Sequence, residues 1–144
     1  MVEDLGIRFS AFLAFGASLA SAILMLTSPM FGAYFGSGVY VYIVAGAGDQ
    51  GSLIIVAAVL MILCSLIALI TVVKPERLNK KIMIPGIIFP LIVFILGLAG
   101  LGIAYDAFSG YEWWVETGFY GSVIPSLIAV LLFLCNYIMM RRRE

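Results

Sequence analysis

The chain has 144 residues, of which 64% are hydrophobic and only 11% are charged, and its formal net charge is zero. Because soluble globular domains are about a quarter charged, this composition and a mean hydropathy of +1.17 exclude a soluble domain and predict an integral membrane protein with little mass outside the bilayer. The absence of a basic excess gives no reason to expect nucleic acid as a partner.

A first membrane span is predicted over residues 9–27. Arg8 precedes an uncharged run that is longer than the roughly 7–15 apolar residues of a secretory signal, so we expect this span to be retained. Small residues recur along it at every fourth position, a pattern that lets helices approach closely in lipid. We therefore predict that the span packs against another helix, of this chain or of a partner, through Ser10, Ala14, Gly16, Ser18, Ala20 and Ala22.

The first outer connection, residues 28–52, is rich in glycine and is predicted to contain a short strand. Residues 39–44 are β-branched or aromatic with tyrosines at alternate positions, which favours a strand or hairpin folded over the ends of the helices. An alternative interpretation makes residues 30–48 a fifth span, since they carry no charge. The many glycines weaken a helix there and favour the first interpretation.

Two further spans, residues 53–73 and 82–104, flank a short basic inner loop at residues 74–81. In the later span, Pro85 and Pro90 predict a kink or a loosened half-helix, because each removes a backbone hydrogen bond. Small residues further along it predict close helix packing or, alternatively, a hinge: Gly97, Gly100 and Ala104.

The second outer connection, residues 105–122, is aromatic, and a fourth span follows over residues 123–140. Pro125 is expected in the first turn of that span, where proline is tolerated. Trp and Tyr prefer the membrane interface, so the aromatic residues predict an interfacial collar or, alternatively, a docking surface for another protein or a lipid headgroup. Together with tyrosines of the first connection, the predicted outer interaction surface is Tyr40, Tyr42, Tyr111, Trp113, Trp114, Phe119 and Tyr120.

Positive and negative charges are predicted to lie at opposite membrane faces, and short loops rich in Lys and Arg stay on the cytoplasmic side. This asymmetry predicts a single transmembrane domain over residues 1–144, located in the cell membrane with both termini cytoplasmic. The expected fold is all-α, a four-transmembrane-helix bundle with a short β-like segment in the first extracellular loop. The inner-face anchors are Lys74, Arg77, Lys80, Lys81, Arg141, Arg142 and Arg143.

Candidate residues for catalysis or cofactor binding are missing from the spans. The four predicted spans hold no charged side chain and the chain has no histidine, which removes His-ligated metals and His-activated nucleophiles. We therefore predict no enzyme activity, no cofactor and no metal site.

Asn136 is expected to bridge two helices by a hydrogen bond, and Cys64 and Cys135 to be small buried hydrophobic residues. The outer acids are expected to be solvated, with a calcium site as the alternative: Asp49, Asp106, Glu112 and Glu116.

The predicted layout resembles the claudin-like tetraspan membrane proteins, with four spans, both ends inside and a longer first outer connection of strand character. Lys81, Gly86, Phe89 and Tyr105 fall roughly as the basic flank, glycine, aromatic and closing tyrosine of the third span do in that family. The family's first outer connection carries a Gly-Leu-Trp signature and a cysteine pair, whereas residues 28–51 here contain neither Trp nor Cys. The resemblance therefore carries over no functional residue.

Three functions are compatible with this sequence. The first is a non-catalytic structural or accessory subunit that contacts other membrane proteins, or further copies of itself, through its helices and outer loops. The second is a small homo-oligomeric transporter or channel whose water-accessible path would be lined by Ser18, Ser21, Ser65, Ser126 or Asn136. The third is a lipid- or quinone-binding membrane subunit with a groove beside the third span.

Overall fold

Four long helices and one small sheet make up the computed structural model, which describes residues 2–46, 48–74 and 80–143. Each helix contains a stretch long and apolar enough to cross a membrane, as expected of a multi-pass membrane protein. The helices extend beyond the predicted spans by up to a few turns at the polar ends. Their bounds are α1 (Val2–Thr27), α2 (Gly48–Val73), α3 (Lys80–Ala107) and α4 (Thr117–Arg143), and the strands are β1 (Phe31–Tyr34), β2 (Tyr40–Ile43) and β3 (Glu112–Val115).

The helices form a ring in which α1 packs against α2 and α4, α3 packs against α4, and α2 meets α3 less closely. Gly6 lies opposite Met139, while Gly118 lies against the carbonyl of Pro29, so α1 and α4 are antiparallel, and the start of α1 and the end of α4 lie at the same end of the bundle. We call this the basic end, and the opposite end, which carries the strands, the sheet end. The basic end carries the exposed cations Arg8, Lys74, Lys81, Arg141 and Arg142.

The sheet joins the two connections at the sheet end. Its strand order is β2-β1-β3 with both pairs antiparallel, so β1 lies between a neighbour in the chain and a strand that follows α3. The strand predicted within residues 39–44 is confirmed as β2. The alternative interpretation, a fifth span over residues 30–48, is contradicted by the structure. Gly36, Ser37 and Gly38 turn the chain between β1 and β2 with positive φ, outside the range of a right-handed helix.

Prolines lie deeper in the helices than the sequence pattern predicts. The prediction that Pro125 lies in a first turn is wrong, since α4 begins at Thr117 and Pro125 is an interior residue. The helix starts early because the amide N–H of Gly118 donates to the carbonyl oxygen of Pro29 at 3.0 Å, which anchors the first turn to the end of α1. Pro85 and Pro90 lie inside one continuous helix, α3.

The core runs along the axis of the bundle and consists largely of small residues and methionines. Alanines and serines let the helix backbones approach, and flexible methionine side chains fill the irregular gaps between them. Among the largest fully buried side chains are Met25, Met61, Met83, Val93, Asn136 and Phe133.

Candidate functional site at the sheet end

The sheet has two different faces, set by the alternation of side chains along each strand. On the face toward the helices, Phe31 and Ala33 of β1 are buried, and the Phe31 ring lies 6.3 Å from that of Trp113 and 5.4 Å from that of Phe119. The opposite face carries mostly aromatic side chains that remain at least partly exposed. Its members are Tyr34, Tyr40, Tyr42, Glu112 and Trp114, and we call it the aromatic face.

Trp114 organises the aromatic face by lying across a glycine. Gly32 stands between Tyr42 and Trp114 in the register of the sheet, and a Cβ on Gly32 would come within 2.7 Å of the indole ring. The indole contacts Tyr40 and Tyr42 edge-on, each at a centroid distance of 6.3 Å. Its Nε1–H donates a hydrogen bond of 2.6 Å to Glu116 Oε1, so the polar edge of the ring is satisfied without water.

The predicted outer interaction surface is divided by the structure. Tyr40, Tyr42, Tyr111 and Tyr120 are exposed, and Trp113 and Trp114 are half-buried. Phe119 does not belong to an outer surface: it is only 8% exposed, because α4 begins at Thr117 and turns this ring onto Phe31. Tyr111 packs edge-on against Phe35 in the loops beside the sheet, with centroids 4.3 Å apart.

The predicted helix-packing residues also fall into two groups. Ser10, Ala14, Ser18 and Ala22 of α1 are buried within the bundle, as are Gly97 and Ala104 of α3, and Gly100 is half-buried. Gly16 and Ala20, by contrast, are exposed on the outside of α1, and a Cβ on Gly16 would meet no atom within 4 Å. The two small-residue rows of α1 therefore face different surroundings, one inside the chain and one outside it.

Asn136 joins α4 to α1 near the basic end, and the predicted bridge is confirmed: the Ser10 hydroxyl donates to Asn136 Oδ1. The Asn136 Nδ2 group and the Ser21 hydroxyl are buried and have no hydrogen-bond partner among the described residues. The other serines suggested for a water path are also buried and bond their own helices, Ser18 to the carbonyl of Ala14 and Ser65 to that of Ile62. Most of these buried hydroxyls therefore form hydrogen bonds within the chain.

An apolar cleft of about 80 Å³ lies between α2 and α3, beneath the sheet. Its floor is formed by buried side chains from the centre of the bundle, including Met25, Phe31 and Val93. Its rim is formed by exposed residues, Leu53 of α2 at 47% and Ile103 of α3 at 41%, so the cleft opens sideways from the bundle. A groove beside the third span is part of the third function that is compatible with the sequence, but no motif gives its lining, because the cleft is the space that two neighbouring helices leave unfilled.

Charged residues gather at both ends but form no metal centre in the described part of the chain. Asp49, Asp106 and Glu112 are exposed, Glu116 is half-buried, and no group of three Cys, Asp or Glu residues there could hold a metal ion.

Cys64 is buried and Cys135 is exposed, which corrects the prediction for Cys135. Of the predicted anchors, Arg77 lies outside the described residues, as do the side chains of Lys80 and Arg143.

Comparison with known proteins gives this geometry no counterpart: no protein-family model, no curated protein and no solved structure matches the chain. The resemblance to claudin-like tetraspan proteins therefore stays a prediction. A function for the chain has to rest on its own residues.

Proposed function

We propose that the chain is a non-catalytic tetraspan subunit of a membrane assembly, located in the cell membrane with both termini cytoplasmic, whose aromatic face contacts another membrane protein. The observation that carries this proposal is the aromatic face itself. Tyr40 is 57% exposed and Tyr42 is 44% exposed, on a strand that forms one edge of the sheet. Tyr and Trp are the residues most enriched at protein interfaces, since their rigid rings bury much area at little entropic cost.

The rigidity of this face favours recognition over simple anchoring in the bilayer. An interfacial anchor needs only a ring at the correct depth, whereas here Trp114 is fixed by Gly32 beneath it and by the hydrogen bond to Glu116. A surface that is ordered before binding loses less side-chain entropy when a partner docks. The partner would present a complementary surface on the same side of the membrane.

The outward row of α1 offers a second contact, within the membrane. Gly16 and Ala20 form a small-xxx-small pair on the exposed side of the helix, and such pairs allow another helix to approach closely. The buried row on the same helix already meets helices of its own chain. Gly16 is therefore available for a neighbouring subunit, as an accessory role requires.

A pair of matched tyrosine variants tests the aromatic face. After extraction in mild detergent, we expect the native chain to run as a complex, and Tyr42→Ser to shift much of it to the free subunit. Tyr105→Ser is the control, since Tyr105 is 66% exposed at the end of α3 and not part of the aromatic face. A native chain that is strictly monomeric, or an equal loss in both variants, would overturn the proposal.

The contact through α1 is tested separately with Gly16→Ile. The added side chain meets open space in the free subunit, so folding should be unchanged while close approach of a second helix is blocked. Gly102→Ile is the matched control, because Gly102 is also exposed and a Cβ there would meet no atom within 4 Å. Loss of the complex only in Gly16→Ile supports the α1 contact, and identical behaviour of the two variants removes it.

A further inference from the structure

We propose that the cleft between α2 and α3 binds one hydrocarbon chain of a membrane lipid, drawn from the leaflet at the sheet end. This inference is independent of the proposed function, since the cleft lies on the side of the bundle and not on the aromatic face. The lining of the cleft is almost entirely apolar, as a site for a hydrocarbon chain requires. Its lining includes Gln50, Leu53 and Ala57 of α2, Val93 and Gly100 of α3, and Phe31 of β1.

The position of the cleft selects a ligand that arrives from the bilayer. Its walls belong to the stretches Gly48–Val73 and Lys81–Ala107, both apolar enough to lie in the hydrocarbon layer. The rim residues Leu53 and Ile103 are exposed on the sides of these helices, so the opening faces lipid rather than an aqueous phase. Hydrocarbon chains are the solvent at that depth and need no other route of entry.

Water cannot fill the cleft well. A buried water needs about 10–15 Å³ and usually 2–4 polar partners, so the volume of about 80 Å³ is ample but the partners are few. Only Gln50 and Ser122 contribute polar side chains to the lining, and the Ser122 hydroxyl already donates to the carbonyl oxygen of Phe119 at 2.7 Å. An apolar occupant regains the dispersion contacts that an empty cleft lacks.

The shape of the cleft fits a chain that runs parallel to the helices. From the sheet end inward, the cleft follows α2 for about 10 Å, from Gln50 to Ala57, and follows α3 for about 15 Å, from Ile103 to Val93, at 1.5 Å per residue. One leaflet of hydrocarbon is about 15 Å thick, so the cleft spans most of its depth. Gln50 lies in the first turn of α2, and its amide makes no hydrogen bond to another described residue. It is placed to bond the polar linkage at the head of the chain.

Glycine and alanine keep the cleft open and provide the variants that close it. A Cβ on Gly100 would lie 3.6 Å from Cε2 of Phe31, an ordinary contact, so a longer side chain at this position can extend into the cleft without moving the backbone. Gly102, two residues further along α3, is exposed and a Cβ there would meet nothing within 4 Å. Gly100→Leu therefore fills the cleft, while Gly102→Leu adds the same atoms on the outside.

The test uses the full chain in vesicles of dioleoylphosphatidylcholine containing a trace of phosphatidylcholine with a diazirine in the middle of one acyl chain. After irradiation, cross-links are mapped by peptide mass spectrometry. We expect them to concentrate on residues 50–57 and 93–103, and to be largely lost there in Gly100→Leu but kept in Gly102→Leu. Ala57→Leu, which closes the cleft from the opposite wall, should repeat the loss and decides the question if Gly100→Leu does not fold.

Two results would overturn the proposal. One is labelling spread evenly over all lipid-facing helix positions, which would mean that the cleft holds a chain no better than the rest of the surface. The other is labelling of the cleft that does not respond specifically to filling it, because it either persists in both filled variants or falls equally in Gly102→Leu. Neither result bears on the aromatic face, so this proposal and the accessory role fail or stand separately.

Discussion

Two helix interfaces on opposite sides of the ring are built from similar residues and pack very differently. Between α1 and α4, Gly121 lies directly under Leu24 and Gly118 lies against the carbonyl oxygens of Ser28 and Pro29, and the Ser10–Asn136 hydrogen bond adds a polar contact. Between α2 and α3 the contact is less close, and the cleft lies between them near the sheet end. Glycine allows a close approach in the first case and leaves a gap in the second.

The contrast shows what a small residue contributes in a membrane. Lipid is as apolar as the helix surfaces, so helices associate through packing and hydrogen bonds rather than through burial from water. A glycine strengthens an interface only if a neighbouring atom moves into its place, as Leu24 does at Gly121. A Cβ added at Gly100 would find Phe31 Cε2 nearest, at 3.6 Å, so the space beside this glycine stays open.

Pro90 leaves one backbone carbonyl oxygen without its usual amide donor at the looser interface. Pro90 has no N–H, so it cannot donate to the carbonyl oxygen of Gly86 one turn earlier in α3. The Cys64 thiol of α2 lies with its Sγ 4.0 Å from that oxygen and offers a weak donor in place of the missing amide. The Cys64 thiol therefore takes the place of the missing Pro90 amide as donor to the Gly86 carbonyl oxygen. Its hydrogen bond is weaker than the one between Ser10 and Asn136.

The largest effect is expected from Gly121→Val in the tight interface. A Cβ at this position would lie 2.5 Å from Cβ of Leu24, an atom attached to the backbone, so α1 and α4 must move apart. Overpacking of this kind costs about 3 kcal/mol of unfolding free energy. The measurement is unfolding in mixed detergent micelles followed by circular dichroism. Gly102→Val is the control, and equal losses in the two variants would mean that α1 and α4 are not closely packed.

A smaller loss is expected for Ser10→Ala. The change removes the only side-chain hydrogen bond of buried Asn136 among the described residues and leaves the amide without a partner in an apolar core. Interhelical hydrogen bonds in membranes contribute about 1 kcal/mol, so we expect a destabilisation of that size in the same unfolding assay. Ser52→Ala is the matched control, because the exposed Ser52 hydroxyl bonds only its own helix at Gly48. A double-mutant cycle with Asn136→Leu should show the two losses to be non-additive.

A still smaller effect is expected at the sheet, from Gly32→Ala. The added methyl displaces the Trp114 ring, but this ring is half-buried on an outward face and can shift without moving a helix. We expect a loss of about 0.5 kcal/mol, the lower range for an aromatic contact. In a Trp113→Phe background, emission from Trp114 should move to longer wavelength as the ring becomes more exposed. Unchanged emission would show that the indole does not lie over Gly32.

The sequence was sufficient for the helices and for part of the sheet. Long uncharged runs are a strong signal, and the alternating tyrosines of residues 39–44 identified β2. It could not identify β3, because residues 112–115 become a strand by pairing with β1, a segment distant in the chain. It also could not place Phe119 or identify the residues that line the cleft beside α3. The first depends on where α4 begins and the second on how closely α2 and α3 pack, which are properties of several elements together.

The smallest effect on stability is expected from Gly100→Leu, and it separates an empty cleft from an occupied one. In detergent without lipid the variant should unfold within about 0.5 kcal/mol of the native chain, since leucine gains helix propensity and enters existing space. Added dioleoylphosphatidylcholine should raise the unfolding free energy of the native chain, because a ligand bound only by the folded state stabilises it in proportion to RT ln(1 + [L]/Kd). Gly102→Leu should keep this increase and Gly100→Leu should lack it. If all three chains gain equally from lipid, the increase reflects general solvation of the helices, and α2 and α3 are then simply less well packed than α1 and α4.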